Sequence, residues 1–115
     1  MNEADETRLR DMLDAVEKAQ AFAEGHTRQS LQSDDMLVFA LTRAIEIIGE
    51  AASQITEETR KSLPDIPWRA IIGMRNKIIH DYISVDHDIV WDVVSVDLPA
   101  LCAVLERILP EDNGE

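Results

Sequence analysis

Residues 34–55, DDMLVFALTRAIEIIGEAASQI, decide the fold. Wound as a helix, the stretch is apolar around most of its circumference, so it belongs at the centre of the molecule with neighbours on several sides. Ala44, Gly49, Ala51 and Ala52 are small enough to let another helix come close. The polar residues Arg43, Glu46 and Glu50 recur at steps of three and four and form one narrow stripe. That stripe reads either as a solvated face or as the wall of a functional cleft. Ser33, followed by Asp34 and Asp35, reads as the start: a capping hydroxyl, then acids where the helix dipole favours them.

Working outward, DETRLRDMLDAVEKAQAFA places Leu9, Met12, Leu13, Val16, Ala19 and Phe22 on one face of a first helix that ends at Gly25. GHTRQSLQS then reads as a loop. Downstream, Thr56 caps a short helix, EETRKSL, which Pro64 stops. WRAIIGMRNKIIHDY reads as a helix with Ile71, Ile72, Met74, Ile78 and Ile79 turned inward. SVDHD breaks it, and Asp86 caps the last helix, HDIVWDVVSVDLPALCAVLERIL. Pro99 falls inside that final stretch, where it removes a backbone donor and crowds the preceding turn. A kink is expected there, or a restart capped by Asp97. The expectation is an all-α, up-and-down bundle of four main helices plus one short one.

Bulk properties agree with that class. The 115 residues provide one core, and hence a single domain over 1–115 with a frayed tail at 110–115. Aromatics are 4% of the chain and Gly and Pro number four each, which suits packed helices better than strands and turns. The lone cysteine, Cys102, lies in the apolar run LPALCAVL and reads as a small core residue rather than a reactive thiol. No stretch is apolar over the ~20 residues that span a bilayer. The N-terminal MNEADETRLR is acidic, unlike a secretory leader, so a cytoplasmic protein is expected.

The formal charge of -12 argues against broad, nonspecific binding of nucleic acid. Its distribution is uneven. Residues 60–80 carry Arg60, Lys61, Arg69, Arg75 and Lys77 against Asp65 alone, a local +4 that leaves -16 for the rest. Within that segment, MRNKIIHDY (74–82) gathers an arginine, an amide, a histidine and the chain's one tyrosine.

Histidine titrates near neutral pH and can give or take a proton, while arginine stays charged and grips phosphate oxygens bidentately. Cutting RNA without a metal ion requires a base for the 2'-hydroxyl, an acid for the leaving oxygen and positive charge at the phosphorus. Arg75, Asn76 and His80 fit that demand, and they fit a passive phosphate site equally well. Simpler readings stand beside these: Arg75 paired with one of 23 acids, His80 at a helix C-terminus, Tyr82 as an anchoring aromatic. On a regular helix Arg75 and His80 lie about 140° apart, so one straight helix does not build the site alone. His80, Asp81, Asp86, His87 and Asp88 cluster in sequence but lack the spacing of a compact helical metal-ligand pair, and no metal is expected. Trp68 and Trp91, flanked by apolar helical residues, read as anchors.

Taken together, IGEAA in the central helix, IPWRAIIGMRNKIIHDY and VWDVVSVDLPAL resemble the HepT-like family of the HEPN superfamily, over roughly residues 5–109. The resemblance implies a metal-independent endoribonuclease toxin with no cofactor. Its R-x4-H-x-Y active site is matched here by Arg75, His80 and Tyr82, with Asn76, Lys77 and Arg69 in support. It implies a homodimer whose two motif copies face one cleft, an RNA substrate (tRNA or mRNA) rather than DNA, and a product ending in a 2',3'-cyclic phosphate. It also implies a cognate MntA-type minimal nucleotidyltransferase antitoxin that transfers AMP to Tyr82. Within the same resemblance, a non-catalytic nucleotide- or substrate-binding module working with that transferase is the alternative. A purely structural helical protein, its motif paired internally, is the remaining one.

Overall fold

The computed structural model describes residues 1–78 and 85–110. Among the described residues the regular structure is helical: α1 (Glu3–Ala23), α2 (Ser30–Ser33), α3 (Asp35–Ser53), α4 (Glu57–Ser62), α5 (Trp68–Ile78), α6 (His87–Asp92), a π-helical turn (Val93–Asp97) and α7 (Leu98–Ile108). The all-α expectation holds. Helix α6, the π turn and α7 run on as one rod, so four long elements build the bundle. The centre is α3, which packs chiefly on α1 and α5, while α7 closes against α1. One continuous apolar cluster joins them, with Leu9, Met12, Leu41, Ile45, Ile48 and Leu105 fully buried.

Most helix starts follow from side-chain chemistry. Asn2 accepts from the Asp5 amide to open α1, Thr56 accepts from Thr59 to open α4, and Asp86 accepts from Ile89 to open α6. For α3 the cap is Asp34, which accepts from the Leu37 amide at 3.0 Å, and not Ser33. Ser33 instead ends α2, a single helical turn within the segment expected to be loop. That turn lets Leu31, the one apolar residue there, bury completely. Phe22, expected on the buried stripe of α1, sits in the last turn and remains 44% exposed.

Pro99 neither kinks a continuous α-helix nor follows a capped restart. The preceding turn widens instead, and the Leu98 amide reaches five residues back to the Val93 carbonyl. The wider turn moves backbone carbonyls away from the proline ring that would otherwise crowd them. Asp97 stays helical and caps nothing with its side chain.

A buried carboxylate fastens the N-terminus. Asp5, only 2% exposed, accepts from the Thr56 and Thr59 hydroxyls at 2.6 Å each and from the Thr56 amide at 3.1 Å. The Thr56 hydroxyl bond, followed by the Thr59 one, holds its pKa below the ordinary carboxylate range. Cys102 is buried as expected, and burial together with Glu106 pushes its thiol up to about 11.

Candidate active site

Helix α5 carries the arginine of the motif, and its placement begins with Trp68. The indole Nε1 donates to the carbonyls of Arg60 and Leu63, each at 3.1 Å, which satisfies backbone acceptors at the end of α4 and fixes where α5 starts. This is the anchoring role the sequence suggests. Ile71, Met74 and Ile78 then turn into the core, with Ile72 partly buried. Ile79 lies outside the described residues.

Gly49 sets how closely α5 approaches α3. A Cβ built there would stand 3.3 Å from the Ile71 carbonyl oxygen and 3.6 Å from that of Ile72, so only glycine leaves the gap comfortable. This close approach brings the polar stripe of α3 within reach of the motif. Glu46 Oε2 lies 3.5 Å from Arg75 Nε, with the Arg75 side chain 55% exposed and that of Glu46 32% exposed. The stripe is therefore divided: Arg43 and Glu50 line a polar cleft against Arg8, Asp11 and Asp14 of α1, while Glu46 serves α5.

The five cations of residues 60–80 have different fates. Arg60 donates to the Ser53 and Ile55 carbonyls at the end of α3, and Lys61 pairs with Glu57 one turn away. Asp65, the acid of that segment, pairs with Arg107. Arg69 and Lys77 are exposed, and neither makes an ion pair among the described residues. Lys77 does not join Arg75: two residues apart on a helix, they project about 200° from each other. Lys77 instead lines an apolar groove of about 650 Å³ between α5 and the C-terminal rod, beside Met74, Ile89, Val93 and Val104. Asn76 is exposed and lies one step from Arg75 on the outer side of the helix.

His80 and Tyr82 lie outside the described residues, as does Asp81. The chain on either side of that segment is joined directly, because the Asp86 amide donates to the Ile78 carbonyl at 2.8 Å. Residues 78 and 86 therefore meet at the C-terminal end of α5, on the same element as Arg75. Sequence reasoning raised the Arg43–Glu46–Glu50 stripe but did not single out Glu46; the signal available was its position three residues before the glycine that admits α5.

With this geometry, comparison with known proteins is specific. The model of the ribonuclease HepT-like family matches residues 12–108. A probable ribonuclease HepT of Thermococcus cleftensis is 36% identical over 100 residues, covering 87% of this chain and 91% of that one. A putative RNase of Methanocaldococcus jannaschii is 32% identical over 87% of this chain and 92% of its own. A putative RNase of Caldanaerobacter subterraneus is 34% identical over 78% and 80%. No solved structure matches.

Proposed function

We propose, from the fact that this chain belongs to the ribonuclease HepT-like family, that it is an endoribonuclease whose R-x4-H-x-Y motif cuts RNA without a metal ion. The observation that carries the reading is the family match across residues 12–108, which takes in the whole motif from Arg75 to Tyr82. Arg75 neutralises the phosphate as the 2'-oxygen attacks phosphorus. His80 handles the proton: one imidazole takes it from the 2'-hydroxyl, another gives one to the departing 5'-oxygen, and a 2',3'-cyclic phosphate remains. Arg69 and Asn76 assist in holding the strand, while Lys77, on the far side of α5, contributes only long-range attraction.

Two histidines acting together imply two chains at one cleft. In support, Phe39 stands 75% exposed on α3, seven residues before Glu46 and hence on the same helical face, and Met36, one turn earlier, is 83% exposed. Such side chains suit a surface covered by a second copy. In a toxin–antitoxin pair, a nucleotidyltransferase that attached AMP to Tyr82 would silence the enzyme, since the added bulk and phosphate charge repel an RNA backbone. The setting is cytoplasmic, where both RNA and ATP are present.

The test is cleavage of a mixed tRNA pool by purified protein in EDTA, beside its His80→Ala variant, after intact mass has shown Tyr82 unmodified. Discrete fragments with cyclic-phosphate ends, lost in the variant, are expected. Intact RNA from the unmodified wild type overturns the nuclease and favours the binding module.

A further inference from the structure

The ion pair between Glu46 and Arg75 needs an explanation that stability does not supply. The Arg75 side chain is exposed and that of Glu46 is a third exposed, so water screens the pair and it contributes little to stability. At 3.5 Å the contact is charge against charge rather than a short hydrogen bond. A carboxylate beside the arginine of a nuclease motif also opposes the binding of an anionic strand. Nevertheless the fold brings the two together, through Gly49 and the close approach of α5 to α3.

The atom that Glu46 meets resolves the conflict. Its contact is with Nε, at the base of the guanidinium. The guanidinium is planar, with its N–H groups in a fixed fork, so a carboxylate beside Nε leaves the Nη1–Nη2 end free for a phosphate. Arg75 otherwise carries several rotatable bonds and sits half in solvent. We propose that Glu46 is a positioning residue: it holds the Arg75 guanidinium by its Nε side and presents the far edge to the scissile phosphodiester. This rests on the nuclease reading above and adds to it a residue outside the R-x4-H-x-Y motif, on a different helix.

The role makes an unusual kinetic demand. Glu46 weakens RNA binding in the ground state through its charge, and it accelerates the reaction by keeping Arg75 oriented when charge develops at phosphorus. Removing it therefore moves kcat and KM in the same direction. For Glu46→Gln on a defined oligoribonucleotide in EDTA, kcat falls by about tenfold while KM falls by about threefold. Glu46→Asp keeps the charge on a shorter arm, so its KM stays at the wild-type value and its kcat lies between the other two. The melting temperature of each variant remains within about 2 °C of wild type, as loss of a water-screened pair allows. A merely structural role would instead lower kcat and the melting temperature together and leave KM unmoved, which overturns the proposal. So does a Glu46→Gln enzyme whose kcat and KM match an active wild type. An inactive, unmodified wild type overturns the nuclease reading, and this role falls with it.

Discussion

Asp5 shows how much can depend on one carboxylate when its lone pairs are met. Its two oxygens accept from Asn2, from the Thr56 amide and from two hydroxyls, which ties the start of α1 to the start of α4. These donors favour the charged form, so the folded pKa lies below the unfolded one. Stability from this source is then fully present above the unfolded value, near the ordinary 3.8, and is lost as pH falls through the lower folded value. Asp5→Asn keeps the size but places an amide N–H among donors, so two Thr hydroxyls lose their acceptor. We expect it to lower the melting temperature by roughly 5 °C or more at pH 7. The gap between variant and wild type should narrow below pH 4, as calorimetry across that range would record.

At the scale of the element, the decisive spacing is that between α3 and α5. Gly49→Ala adds a Cβ 3.3 Å from a backbone carbonyl, a crowding offset by alanine's better helix propensity of about 1 kcal/mol, so near-neutral stability is expected. Gly49→Leu has no such accommodation, because the atom it meets is backbone. It should cost about 2–3 kcal/mol in urea denaturation and depress RNA cleavage further, by carrying Arg75 away from Glu46.

The helices themselves were legible from hydrophobic spacing, because each of α1, α3 and α5 has an apolar face, and the caps Thr56 and Asp86 marked where α4 and α6 begin. What was not legible depended on choices between chemically similar neighbours or on tertiary packing. Ser33 and Asp34 are both good caps, and only the burial of Leu31 in its own helical turn shifts the choice to Asp34. At Pro99 the ring forbids a regular helix but does not specify that the backbone answers with a π turn. Of the candidate site, Arg75 was found from its motif, whereas its partner Glu46 depends on how two helices cross. Lys77 was grouped with Arg75 by proximity in sequence, and helical geometry separates them.

For the whole molecule, both charge and apolar exposure are unevenly distributed. The local positive segment is reduced by its own structural duties, since Arg60 caps α3 and Lys61 pairs with Glu57. Arg69 and Arg75 remain on the outer side of α5, in a chain of net charge -12. Cleavage should accordingly weaken only modestly with added salt, since few phosphates are contacted at any one time and the salt dependence grows with their number. If the Phe39 face of α3 is where a second copy docks, Phe39→Asp should convert a dimer to a monomer in light scattering, raising the dissociation constant by about a hundredfold or more. Its melting temperature measured at high dilution should be unchanged, because Phe39 packs little within its own chain. A variant as dimeric as the wild type would place the interface elsewhere.

The π turn ahead of Pro99 constrains the routes by which this chain can change. A π turn is one residue more than an α-helix needs, so deleting a residue from Val93–Asp97 would return the rod to an ordinary helix with both flanking faces kept in phase. With Pro99 still present, that deletion restores the clash the turn relieves, at a cost of about 3 kcal/mol. Replacing Pro99 first removes the clash, after which the spare residue can be lost freely. The two changes are thus open in one order and closed in the other, and the C-terminal helix can shed its irregularity only by giving up the proline before the length.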